Sequence, residues 1–277
     1  MGVIVPVAVI WFISAAVTTL MVAYCRYILM PHQAADLDVF AQEAFWRREY
    51  AARRLLVTAI GDGLIIAYGL WERRRDKKST FNPDFPVRMH PVWICLMPVL
   101  GIALCLFVNA AMNLSGLVRL LANDYQEVGE ALFPAGQEAL SLFTVGLLAP
   151  LAEEIIFRGV IFPRLRGLYR GVVPAVFSAV LFGAFHGNLA QGIYAFCLGF
   201  VFAWGYEKTG RFGAAIALHI AANACSLILS GMNLSWGLSD LLIIMGTSGL
   251  VLTAGTGLLA KKSADCTALR DGQRSDR

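Results

Sequence analysis

The chain has 277 residues, 58% of them hydrophobic and only 15% charged, with a formal net charge of +4. A mean hydropathy of +0.64 is too high for a water-soluble domain of this length and assigns the sequence to the polytopic membrane class. The positive balance comes from arginine clusters at segment ends, with no basic stripe interleaved with aromatics; this excludes nucleic acid as a partner and suits an anionic cytoplasmic leaflet.

The N-terminal run MGVIVPVAVIWFISAAVTTLMVAYC is long enough to span a bilayer and lacks the basic region and cleavage site of a removable signal peptide, so a first transmembrane helix is predicted here. Pro6 stands where a myristoylation signal needs Ser or Thr, and the terminal QRSDR carries no prenylation box; spans, not a lipid anchor, are expected to hold the protein. Residues 36–54, DLDVFAQEAFWRREYAARR, read as an amphipathic surface helix. Residues 55–71, LLVTAIGDGLIIAYGLW, are short for a span, contain Asp62 and are flanked by arginines. Further spans are predicted at 91–112, 139–162, 172–186, 191–206, 212–230 and 239–260.

The expected fold is therefore an all-α, polytopic membrane helical bundle of about eight transmembrane helices, or seven if 55–71 does not span. Three regions follow: N-terminal helices with cytoplasmic or interfacial amphipathic segments over 1–138, a compact glycine-rich core over 139–260, and a polar tail over 261–277. Cysteines 25, 95, 105, 197, 225 and 266 are scattered without a CxxC pair and read as packing residues. Arg73, Arg74, Arg75, Lys77, Lys78 and Arg88, then Arg164, Arg166 and Arg170, Lys208 and Arg211, and Lys261 and Lys262 can all be cytoplasmic together. The connection at 113–138, with Asp124, Glu127, Glu130 and Glu138 against Arg119, then faces the other side. If 55–71 spans, the segment 26–54 and its five arginines lie outside, against the charge rule.

Glu153, Glu154 and Arg158 interrupt an otherwise spanning stretch, TVGLLAPLAEEIIFRGVIF. An ionised side chain at the bilayer centre costs at least ~2.5 kcal/mol on insertion scales, so an intramembrane acid is by default a functional candidate. On a helix Glu154 and Arg158, four apart, share a face and can pair; Glu153 points about a quarter turn away, free to act as a base. The next span ends LFGAFHG, with Phe182 and His186 one turn apart, and a later one contains ALHIAANA, with His219 and Asn223 one turn apart. Counted at ~1.5 Å per residue from the cytoplasmic ends, Glu153 lies roughly 15 Å deep, His219 roughly 10 Å, Asn223 roughly 16 Å and His186 roughly 21 Å, so all four can converge near mid-membrane.

These three motifs, EEIIFR, FGAFH and HIAAN, match EExxxR, FxxxH and HxxxN in order and on successive helices. In this the sequence resembles the CAAX protease and bacteriocin-processing family of intramembrane proteases, over roughly residues 139–235. The resemblance implies peptide-bond hydrolysis within the membrane. It implies that Glu153 activates water with the help of His186, that His219 and Asn223 stabilise the oxyanion, and that Glu154, Arg158 and Phe182 support the site. A metal version is also open: Glu153, His186 and His219 form the two-His, one-carboxylate set that catalytic zinc uses, although no HExxH helix is present and Asn223 suits an oxyanion hole better. The expected partners are the lipid bilayer and a membrane-associated peptide or lipidated protein, with the chain multi-pass in the plasma membrane. A site opening toward the cytoplasmic leaflet would suit such a substrate.

Two other classes compete with an enzyme. A non-catalytic scaffold or binding member could keep the same fold, and a secondary transporter would also bury acids and histidines, but residues 1–138 hold no second arrangement of this kind. Asp62 reads as a satisfied polar residue in a short helix, and His32 and His90, beside prolines, as ordinary interface residues.

Overall fold

The structure is a computed structural model and describes residues 2–34, 36–78, 89–121, 134, 136–232 and 236–275. Eight apolar helices dominate it: α1 (Ile4–Leu29), α2 (Val39–Lys78), α3 (Pro91–Leu114), α4 (Glu138–Leu168), α5 (Val173–Phe185), α6 (Leu189–Thr209), α7 (Phe212–Gly231) and α8 (Leu238–Ser275). Seven are long and apolar enough to cross a membrane, and α5 is shorter at 13 residues. Among the described residues there is no strand, and the chain is an integral, multi-pass helical bundle. All six cysteines are free.

Residues 36–54 and 55–71 are not two elements. α2 runs unbroken for 40 residues; at ~1.5 Å per residue it is about 60 Å long, roughly twice the thickness of the hydrocarbon layer. No proline or glycine interrupts its first half, and the pairs Glu43–Arg47, at 2.9 Å, and Glu49–Arg53 carry the polar turns into the apolar ones. The predicted surface helix is thus the projecting half of a span. Residues 261–275, within the expected polar tail, continue α8. The predicted acidic connection falls largely on 122–133, outside the described residues.

Successive helices alternate in direction, which gives the bundle a basic end and an opposite end. At the basic end Arg164 of α4 grips Asp76 of α2 through bonds of 2.8 and 2.9 Å, pairs with Glu72 and reaches the Gly2 carbonyl at 3.3 Å. Arg166 forks onto Glu207 of α6 at 2.6 and 2.9 Å, and Arg211 donates to the Met89 carbonyl at 2.6 Å. These contacts fix the helix ends that the charge rule places in the cytoplasm. At the opposite end the Gln137 amide reaches the Ala52 carbonyl at 3.5 Å.

α4 is continuous but not uniform. Two π turns, Thr144–Leu148 and Phe157–Ile161, flank the segment Ala149–Ile156 that carries the glutamates. Each leads into a proline, Pro150 or Pro163, which lacks an N–H and whose ring collides with the carbonyl four residues back. Widening the turn relieves that collision, and the residues at the two back positions are Gly146 and Gly159.

Close approach of small residues replaces the hydrophobic effect as the packing force between helices in lipid. A Cβ on Gly183 of α5 would stand 2.7 Å from the Gly192 carbonyl oxygen of α6, so these helices meet backbone to backbone. At the surface of the bundle large apolar side chains point outward: Phe12, Ile243 and Leu250 are 73%, 63% and 73% exposed and belong to the lipid-facing girdle. Gly183→Val is expected to lower the thermal midpoint in detergent, at a cost of roughly 1–3 kcal/mol. Gly63→Ala, where a Cβ meets nothing within 4 Å, is expected to leave the midpoint unchanged or raise it by up to ~1 kcal/mol; equal losses in both would mean that the α5–α6 contact is not this close.

Candidate active site

A guanidinium at the centre of the bundle organises the site. Arg158 and Glu154 are both fully buried, and Arg158 Nη1 donates to Glu154 Oε1 at 2.8 Å. Arg158 Nη2 donates to the Gly199 carbonyl of α6 at 2.6 Å. The rings of Phe182, Phe202 and Phe157 lie 4.7, 5.5 and 5.9 Å from the guanidinium carbon, so cation–π attraction replaces part of the lost hydration. A Cβ on Gly199 would fall 2.7 Å from the Phe182 ring and 3.0 Å from Arg158 Nη2. Only glycine leaves room there.

Glu154 Oε1 also faces His219 Nδ1 at 2.9 Å. A carboxylate paired with arginine only accepts hydrogen bonds, so Nδ1 is the donating nitrogen of His219. Its Nε2 is left 3.6 Å from Glu153 Oε2. Phe202 stacks on the imidazole at 4.6 Å and Phe182 meets it edge-on at 5.6 Å, which fixes the plane of the ring. Glu153 keeps a side-chain exposure of 19%, where Glu154 has none.

His186 terminates α5, and its Nδ1 lies 2.8 Å from the Phe182 carbonyl. A carbonyl accepts, so Nδ1 donates and Nε2 keeps a free lone pair. The orientation of Asn223 traces back to Pro150. In the π turn the Ala149 N–H reaches the Thr144 carbonyl instead of that of Val145, and Pro150 has no N–H to offer. The Val145 carbonyl is therefore left to a side chain, and Asn223 Nδ2 donates to it at 3.0 Å. One amide hydrogen of Asn223 is spent on this bond and the other remains available.

Glu153, Phe182, His186, His219 and Asn223 all line one cavity of about 450 Å³, and Glu154 and Arg158 lie behind its wall. The cavity runs from mid-bundle, over Phe157 and Phe202, to Tyr50, Arg54, Gln191 and Ser226. Those four residues stand near the helix ends opposite the basic one, so the cavity extends away from the basic end of the bundle. Among the described residues no three His, Cys, Asp or Glu side chains converge to hold an ion. Glu153, His186 and His219 share the cavity without forming a ligand set, and a two-His, one-carboxylate zinc site does not fit the side chains as placed.

Two features escaped the sequence. The aromatic cage of Arg158 takes in its chain neighbour Phe157 and draws Phe202 from α6, for which motif spacing carries no signal. Asp62 is not a satisfied polar residue: it lines the cavity and its Oδ2 has no hydrogen-bond partner. An aspartate between two glycines in an otherwise apolar run was the available signal. His90 does serve an ordinary role, its Nδ1 accepting from the Val92 N–H at 3.3 Å.

Residues 135–225 match the family model described as Type II CAAX prenyl endopeptidase Rce1-like. The chain is 31% identical over 90 residues to YdiL of Bacillus subtilis (strain 168), a protein named for membrane peptidase activity. It is 28% identical over 98 residues to the membrane-embedded CAAX protease MroQ of Staphylococcus aureus (strain USA300). These alignments cover 32% and 33% of this chain and 37% and 40% of the two relatives, so the chain spans about two fifths of the length of the curated proteins it matches. No solved structure matches the chain significantly.

Arg158→Ala leaves Glu154 buried without its counter-charge and is expected to cost roughly 3–5 kcal/mol. The double variant Arg158→Ala, Glu154→Gln is expected to recover part of that loss when thermal midpoints are compared in a double-mutant cycle. Strict additivity of the two changes would remove the pairing from the account of stability.

Proposed function

We propose that this chain, which belongs to the Rce1-like CAAX endopeptidase family through residues 135–225, is a membrane peptidase that hydrolyses a peptide bond of a membrane-associated peptide or protein. The observation that carries the reading is the meeting of Glu153, His186, His219 and Asn223, from three helices, on one cavity.

In this reading Glu153 is the general base. It is the glutamate of the pair that faces the cavity, since Glu154 is engaged by Arg158 and His219. A water held between the Glu153 carboxylate and the free lone pair of His186 Nε2 gives its proton to Glu153 as its oxygen adds to the substrate carbonyl carbon. The C–O bond forms, the carbonyl π electrons move onto oxygen, and the free amide hydrogen of Asn223 receives that charge, joined by His219 Nε2 in the form of the ring that carries a hydrogen on both nitrogens. Glu153 then returns the proton to the amide nitrogen, the C–N bond breaks, and the carboxyl and amine products separate. Glu154 is a positioning residue: by accepting from Nδ1 it aims Nε2 of His219 at the reacting atoms. Arg158, Phe182, Phe202 and Gly199 hold Glu154 and the ring in place.

The test is cleavage of a peptide library by purified protein in detergent, with and without a strong zinc chelator. Glu153→Gln is expected to lower kcat/KM by ~10² to 10⁴-fold, the range of general-base contributions. Wild-type cleavage is expected to survive the chelator. Equal cleavage by Glu153→Gln and wild type would remove Glu153 as the base, and loss of wild-type activity to the chelator with recovery on added zinc would replace the water-activation scheme by a metal one.

The direction in which the cavity opens has its own check. In a chain stripped of its six cysteines, a cysteine at Gln191 is expected to react with a membrane-impermeant maleimide on intact cells. A cysteine at Arg75 is expected to react only after permeabilisation. The reverse pattern would put the cavity mouth on the cytoplasmic side.

A further inference from the structure

Buried charges in this bundle are paired, with one exception. Among the described Asp, Glu and Arg residues, Asp62, Glu72, Glu154, Arg158 and Arg164 are buried. Arg158 pairs with Glu154, and Arg164 with Glu72. Asp62 takes part in no ion pair, its Oδ2 has no hydrogen-bond partner, and it is only 9% exposed. A carboxyl group in a medium of low dielectric keeps its charge only with a partner and otherwise takes up a proton. The side chain lines the cavity, so a partner that enters the cavity can reach it.

The surroundings specify its chemistry. Glu153, the proposed base, also lines the cavity and is close enough for its charge to act on Asp62. The cavity therefore presents two carboxylates to an occupant. Arg54, the one lysine or arginine that lines it, is exposed at the mouth; eight residues up α2, it stands ~12 Å away along the helix axis. Ser14 of α1 and Thr58, one turn from Asp62, add hydroxyl oxygens to the same wall. An ammonium has three hydrogens to donate and a guanidinium five, and the oxygens of Asp62, Ser14 and Thr58 can accept them.

Resting on the reading of the cavity as a peptide site, we propose that Asp62 is a specificity residue that binds a lysine or arginine side chain of the substrate beside the bond to be cleaved. Glu153 then acts on the peptide carbonyl while Asp62 holds the adjacent cation, and the cationic side chain enters from the end of the bundle at which Arg54 lies.

The experiment measures binding, so that it does not depend on turnover. The Glu153→Gln protein, in detergent, is titrated with fluorescent apolar decapeptides carrying a single lysine at each position in turn, and with twins in which norleucine replaces that lysine. For at least one position the lysine peptide is expected to bind tenfold or more tightly than its norleucine twin, and adding Asp62→Asn is expected to reduce that ratio to threefold or less. Asp62→Glu, which keeps the charge, is expected to retain a preference for lysine, separating loss of recognition from loss of fold. If Asp62→Asn does not purify as a single species, Asp62→Ser takes its place. Absence of a lysine preference in the parent, or a preference that survives Asp62→Asn, overturns the proposal. So does an Asp62→Asn variant that cleaves every peptide more slowly while its binding ratio stays intact, because that is the signature of a carboxylate sharing a proton with Glu153. Lack of cleavage by wild type together with an Asp62-dependent lysine preference would sink the peptidase reading and leave the recognition site standing.

Discussion

A guanidinium that has lost its water is the constraint from which the centre of this bundle is built. Arg158 is completely enclosed, and an arginine in such a place needs acceptors and polarisable neighbours from the protein. It takes one carboxylate oxygen, one backbone carbonyl and three aromatic faces. Each demand propagates. The carboxylate is Glu154, whose same oxygen holds Nδ1 of His219 as a donor; the carbonyl is Gly199, a position where a side chain would collide with Phe182 and with the guanidinium itself. Phe182 and Phe202 serve twice, around the cation and around the imidazole. The arginine never reaches the cavity, yet it determines where His219 points.

A second constraint lies in the backbone of α4. A proline in a buried helix leaves a carbonyl without a donor, and in lipid that carbonyl cannot turn to water. Pro150 creates such a vacancy at Val145 and Asn223 fills it, which couples the strained turn of one helix to the amide of another. The bond that satisfies α4 thus also fixes which amide hydrogen Asn223 can offer to the cavity. A local defect has become a device for orientation, as π turns beside functional groups often are.

The legible part of the sequence was the part governed by spacing along one helix. Glu154 with Arg158, Phe182 with His186 and His219 with Asn223 are each four residues apart, and the structure places each pair on one face. Counting depth along separate helices let four polar residues converge, and in the structure all four line one cavity. What spacing could not carry was contact between helices: Gly199 and Phe202 of α6 reach Arg158 of α4 from positions unrelated in sequence. The length of α2 was hidden because its polar first half and apolar second half differ in composition while nothing in the backbone chemistry divides them. Asp62 was misread for a related reason. A single aspartate looks the same in sequence whether its partner lies in the bundle or is missing from it.

The family likeness and the cavity do not have the same extent. Residues 135–225 contain Glu153, Glu154, Arg158, Phe182, His186, His219 and Asn223. The opposite wall, with Ser14, Thr58 and Asp62, comes from α1 and α2, outside that stretch. The groups proposed for bond breaking and those that meet the rest of an occupant therefore sit on different parts of the chain. Changes in α1 and α2 can alter the cavity wall without disturbing the Arg158 network, because that network is closed within α4, α5, α6 and α7. A shared core can thus keep one chemistry while the hairpin laid against it sets which peptides reach it.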